Sequence, residues 1–119
     1  MTHYTDVFVL PVPRANIDAY RKQAELFAKV WKEHGALSCT EFEADDAPMG
    51  KVTSFPQSVQ LKPDETVFVG IIAYKSRAHR DEVNAKAMKD PRMAGQDPQS
   101  MPFDGKRMFF GGFKTLVKL

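Results

Sequence analysis

Three segments of this chain are apolar at both alternating positions of an extended strand. They are VFVLPV at Val7–Val12, VFVGIIAY at Val67–Tyr74 and MFFGGF at Met108–Phe113. A strand with one face on a core and one in water alternates apolar and polar residues. These three do not, so both faces of the sheet they form need cover. That demand is severe for 119 residues, a length that suits one domain and no more.

Hydrophobic residues make up 43% and charged residues 27%, the balance of a folded chain rather than a disordered one. Seventeen Lys and Arg against fifteen Asp and Glu leave a net charge of +2, which speaks against a nucleic-acid or membrane-surface partner. The single cysteine, Cys39, excludes an internal disulfide framework and fits a reducing, cytoplasmic setting. No apolar run approaches the ~20 residues of a membrane span. Residues 1–15 lack a signal-peptide pattern.

The first strand is expected over Tyr4–Val12, ended by Pro11 and Pro13. A helix follows over Asn16–His34. Its Ile17, Tyr20, Ala24, Phe27, Trp31 and His34 recur every three or four residues and so share one face. Asn16 reads as its N-cap, and Gly35 as its left-handed end. A second strand spans Ala36–Asp45, with Leu37, Cys39 and Glu41 on one side. Pro48 and Gly50 mark a turn, and 53–61 reads as a helical turn or an irregular strand. The third strand is Thr66–Lys75. A second helix runs from the Ser76 cap to Lys89, where Asp90-Pro91 stops it. Arg92–Asp104, with Pro98 and Pro102, is a polar connection. The last strand lies within Lys106–Leu119, and its Gly111-Gly112 pair implies a bulge or a close backbone approach.

The order β-α-β-β-α-β describes a single α+β domain over 1–119, a ferredoxin-like antiparallel sheet with two helices on one face. Two helices cover only that face. The economical cover for the other is a second copy, giving a homodimer with sheets packed face to face around a barrel-like core. The rival is that 46–65 and 90–104 fold back over the sheet.

Several stretches carry a resemblance. They are DVFVLPVP at Asp6–Pro13, Tyr20-Arg21, His34-Gly35-Ala36, GKVTSFP at Gly50–Pro56, AYKSRAHRDEVNAKAMKDPRM at Ala73–Met93 and MPFDGKRMFFGGF at Met101–Phe113. Together they resemble the YbaA-like proteins, a bacterial domain-of-unknown-function family of about this length. That family is similar to the dimeric α/β-barrel superfamily, which includes antibiotic-biosynthesis monooxygenases, muconolactone isomerases and stress-response proteins. The resemblance implies a fold and a dimer but no reaction. It also implies a bulky aromatic near Gly70, where a glycine would enlarge a pocket.

The apolar stripe of the second helix is thin: Val83, Ala87 and Met88. Arg80 and Asn84, four residues apart, adjoin it. The expected site is a helix–sheet pocket for a small organic ligand, lined by Tyr20, Trp31, Arg80, Asn84 and Met88. Arg80 would hold a carboxylate or enolate and Asn84 an oxygen; the bland alternative pairs Arg80 with an acid and leaves Asn84 in water. Tyr20 and His34 are acid–base candidates, set against a core tyrosine and a histidine that caps its helix. Asp6, alone in an apolar strand, reads as a strand-end residue in water, as a base of raised pKa, or as the partner of a cation such as Arg107.

No phosphate-cradling loop, nucleophile elbow or zinc helix is present. His3, His34, His79 and Cys39 are scattered, so no metal and no cofactor is expected. KRMFFGGF faintly echoes an RNA-recognition strand, but on the last strand rather than the third, and no nucleic-acid partner is expected. Three readings follow: a ligand-binding protein, a cofactor-independent monooxygenase or isomerase acting on an enolisable or phenolic substrate, or a ligand-free stress-response or interaction module.

Overall fold

The computed structural model describes residues 3–97 and 100–119, so Pro98 of the expected polar connection lies outside it. Strands β1 (Tyr4–Pro13) and β3 (Glu65–Tyr74) pair antiparallel along their whole length, from Tyr4 opposite Tyr74 to Pro13 opposite Glu65. Strand β2 (Ser38–Glu43) flanks β3 and β4 (Phe109–Lys114) flanks β1, giving the order β2-β3-β1-β4. The central pair holds two of the doubly apolar segments. Edge strand β2, by contrast, is mixed in polarity. Helices α1 (Ile17–Glu33) and α3 (Arg77–Lys89) lie on one face, as the ferredoxin-like reading requires.

Local chemistry sets the helix ends. Gly35, at φ 117°, closes α1: its N–H donates to the Lys32 carbonyl and the Ala36 N–H to the Trp31 carbonyl. Ser76 caps α3 by accepting from the His79 N–H. Asp90, extended before Pro91, ends α3 and caps a short helix, α4 (Pro91–Ala94), that the expected polar connection contained unseen. Within 53–61 the helical-turn reading holds at α2 (Phe55–Ser58, the short element preceding β3), capped by Ser54 and with Pro56 in its first turn. Asn16 does not cap α1 through its side chain. The 3-10 turn at Arg14–Asn16 already curls its backbone to φ −106°, ψ 8°, away from the extended conformation of a cap. Its amide donates instead to the Pro102 carbonyl at 3.0 Å.

Between helices and sheet, Leu10, Val12, Tyr20 and Phe68 pack at one end. Val30, Trp31, Ile72, Tyr74, Val83 and Ala87 pack at the other. Gly70 faces Phe8 across the central pair, and a Cβ there would overlap the Phe8 ring. The space freed by this glycine is thus filled by a neighbour rather than added to a pocket, correcting that expectation. Nor does Gly111-Gly112 form a bulge, since the β1–β4 register is unbroken from Tyr4–Lys114 to Val9–Phe109. The close neighbour at Gly112 is the Tyr4 side chain, not a backbone.

The two expected covers for the outer face divide. Val59, Leu61 and Ala44 pack on Val9 and Val67, so the segment around α2 folds over one end of the sheet. At that end Arg107 makes a two-pronged pair with the buried carboxylate of Glu65 at 2.7 and 2.6 Å, and donates to the Val59 and Gln60 carbonyls. Arg107 is therefore the partner of Glu65, not of Asp6. The remainder of the outer face, around Val7, Val69 and Ile71, is only partly covered. Phe42, Phe109 and Phe113 beside it are 50%, 45% and 59% exposed. The described residues of 90–104 go to the opposite side, where Met93, Gln96, Met101 and Phe103 wall a cleft under α1.

Candidate functional site

That cleft, open on one side, holds about 510 Å³ between α1, α3, the sheet and the residues Met93, Gln96, Met101, Phe103 and Met108. Small-molecule sites commonly fall in the range of ~300–1,000 Å³. The helical spacing of α1 builds one wall: Phe27 and Trp31, four residues apart, stack with ring centroids 3.9 Å apart. Phe8, Ile72 and Phe103 add apolar surface, and Met88, Met93, Met101 and Met108 add thioethers. Phe110 and Met88 stand exposed at the rim.

Polar groups gather at two places. In the first, the Arg80 guanidinium meets Asp6 Oδ1 at 2.6 Å and Asp81 Oδ1 at 2.8 Å, with the Tyr4 ring beneath it at 5.0 Å. Asn84 Oδ1 accepts from Trp31 Nε1 at 2.9 Å and from the Tyr74 hydroxyl at 3.2 Å. Burial pushes the Asp6 carboxyl above its ordinary value, against the charge of Arg80 and the hydrogen bonds of Arg80 and Asn84. Asp6 and Asn84 line the cleft; Arg80 stands behind Asp6 and does not.

In the second, the Tyr20 hydroxyl donates to Glu41 Oε1 at 2.8 Å, joining α1 to β2. Glu41 Oε2 is buried without a hydrogen-bond partner, and so is Gln23 Oε1 one helical turn from Tyr20. The Gln23 amide nitrogen is engaged by Gln96 Oε1 and Met101 Sδ. Burial raises the Glu41 carboxyl, opposed by the Tyr20 bond. Burial, reinforced by the charge and hydrogen bond of Glu41, raises Tyr20 far above its ordinary value, so it remains a phenol that donates. Cys39, two residues before Glu41, is pushed up to about 11 by burial and stays a thiol of low reactivity.

Of the residues expected at the site, the fold brings Tyr20, Trp31, Asn84 and Met88 to the cleft. It places Arg80 in an internal ion pair, because Asp6 lies across from it on the sheet. His34 sits outside the cleft at the end of α1, with Nε2 2.9 Å from Asp90 Oδ2. Asp90 is also held by Arg92, which reaches Glu33 at 2.6 Å. Sequence reasoning did not assign Glu41 or Gln23 to the site. The signal for Glu41 was its parity: it shares a side of β2 with Cys39, so an acid falls where an apolar residue belongs. Among the described residues there is no group of three or more His, Cys, Asp or Glu side chains that could hold a metal ion. No described helix is long and apolar enough to cross a membrane.

Sheet order, helix placement and cleft define an α+β protein of ferredoxin-like fold. Two solved structures share it. One is a dimeric ferredoxin-like protein from an uncultured marine organism, 17% identical, with a TM-score of 0.51 over 100% of this chain and 98% of that one. The other is a nipsnap family protein with unknown function from Agrobacterium tumefaciens strain C58, 19% identical, with a TM-score of 0.56 over 95% and 87%. The sequence is more specific. Residues 3–105 match the family described as "Protein of unknown function (DUF1428)". The chain is also 46% identical over 114 residues to the uncharacterized protein YbaA of Escherichia coli K12, covering 96% of this chain and 97% of that one. YbaA of Shigella flexneri matches to the same extent. The chain belongs to this YbaA-like family, as its motifs imply.

Proposed function

We propose that this protein binds a small organic ligand in the cleft between its helices and sheet. The carrying observation is an apolar cleft of about 510 Å³ whose wall includes a carboxylate with a buried, unpartnered oxygen. Tyr20, Trp31, Asn84 and Met88 line the ligand, and Arg80 acts through Asp6. A filled interior would have favoured a ligand-free interaction module. The test uses the uncharged dye N-phenylnaphthylamine, whose emission rises in apolar surroundings. The expected result is saturable binding at one site per chain, abolished in a folded Ala24→Phe variant that fills the cleft. Unchanged binding by that variant would move the site elsewhere.

The same reading takes the protein as a homodimer joined through the open part of the outer sheet face. The apolar surface around Val69 and Ile71 supports this, and the marine structural neighbour is described as dimeric. The one half-buried cysteine supports a reducing, cytoplasmic setting.

One observation favours a catalytic reading of the cleft. Burial raises the Glu41 carboxyl and one of its oxygens is unengaged, as a general base for an enolisable or phenolic substrate requires. No cofactor enters that scheme. Its test is substrate loss in the wild type against Glu41→Gln. Turnover that survives the substitution removes Glu41 from the chemistry.

A further inference from the structure

The polar atoms of the cleft are unequal in kind. Asp6 and Glu41 are its ionisable carboxyls, and no Lys, Arg or His is among its described lining residues. Its inner donors are engaged: the Tyr20 hydroxyl by Glu41, Trp31 Nε1 by Asn84, the Asn84 amide by Asp6, and the Gln23 amide by Gln96 and Met101, while Gln96 itself is exposed. With Glu41 ionised, what remains buried and unpaired is acceptor only, Glu41 Oε2 and Gln23 Oε1, flanking Tyr20. A buried acceptor without a partner is costly, and a ligand that donates to it recovers that cost. An anion entering the cleft would lose its hydration, gain no cation and face carboxyl groups. Around these acceptors lie a stacked Phe27–Trp31 pair and methionine sulfurs, surfaces that favour aromatic rings.

We propose that the cleft selects an uncharged aromatic ligand bearing a hydroxyl or N–H group, held by donation to Glu41 Oε2, and rejects carboxylates. This rests on the ligand-binding reading above and reverses the expectation of an Arg80-held anion, because Arg80 is consumed by Asp6 and Asp81. Glu41 is then the residue that sets specificity, and Gln23 Oε1 offers a second acceptor to a ligand with two donors.

Calorimetry with three probes of similar size tests it: para-ethylphenol, ethylbenzene and para-ethylbenzoate. The expected order is ethylphenol about tenfold tighter than ethylbenzene, the scale of one hydrogen bond to a charged acceptor, with ethylbenzoate weakest. Glu41→Leu lowers ethylphenol to the level of ethylbenzene and leaves ethylbenzene unchanged. Ethylbenzoate binding as tightly as ethylphenol, or a preference for ethylphenol that survives Glu41→Leu, overturns the proposal while leaving ligand binding intact. Binding of none of the three sinks the ligand-binding reading itself. The wild-type order decides the matter even where the variant does not fold.

Discussion

The two faces of the sheet solve different problems with the same strands. The helix face carries Asp6 and Glu41 among aromatic rings, each tied to a side chain from a helix. The outer face presents Val7, Val69 and Ile71, partly buried, with phenylalanines beside them, and among the described residues the segment around α2 covers one end of it. A surface that carries chemistry must accept the desolvation of polar groups and supply partners for them. A surface that only needs cover does best as plain apolar area. The proposed ligand site and the proposed dimer contact thus fall on opposite faces, each on the kind of surface it needs.

The sharpest way to break it is Ile71→Asp on the open outer face. In the proposed dimer a carboxylate there faces burial against the second copy, so that dimer is expected to weaken by ~10³-fold or more, with circular dichroism unchanged. Sedimentation that shows the same dimer as the wild type removes the outer face as the interface. At the covered end, Arg107→Met strands the Glu65 carboxylate, which is 3% exposed. Urea unfolding should show a loss of about 3 kcal/mol. A loss near zero would mean that this end opens to water. Between the faces, Gly70→Ala sets a methyl against the Phe8 ring and should cost about 1–3 kcal/mol. Adding Phe8→Val should recover part of that loss in a double-mutant cycle.

A pH experiment addresses the helix face alone. Burial raises the Glu41 carboxyl, so the folded state keeps a proton that the unfolded chain has already released. Wild-type stability from this group therefore falls as pH rises through the interval between the ordinary carboxylate value and the raised one. Glu41→Gln lacks that fall and can still accept from Tyr20. Its melting temperature should gain on the wild type between pH 4 and pH 8, and a constant difference would show that Glu41 is not desolvated. The smallest effect is expected at Glu82, exposed and paired with Lys86 on the surface of α3. Glu82→Ala should leave the urea midpoint unchanged within error.

What the sequence disclosed was what periodicity and local caps encode. The three- and four-residue spacing of Ile17, Tyr20, Ala24, Phe27 and Trp31 gave α1 and its buried face. Gly35 and Ser76 gave helix ends, and doubly apolar strands gave the need for a second cover. Hidden were the partners set by folding across long separations. Asp6 lies 74 residues from Arg80, and no local rule prefers Arg80 to Arg107 for it. Asn16 fits the pattern of a cap, yet the preceding 3-10 turn decides its backbone first. Glu41 had a signal in its parity, but the orphaned state of its second oxygen depends on Tyr20 arriving from another element.

The meeting of Phe8 with Gly70 has a consequence for how this family can diverge. One ring fits between the two central strands at that level of the sheet, so the two positions share a single volume. A relative that carries an aromatic at the position of Gly70 is expected to carry a small residue at that of Phe8. Either change alone would produce a crowded or a hollow sheet. The pair thus forms one inherited unit, split between residues 62 positions apart in the chain (70 less 8), and its history should read as linked replacements.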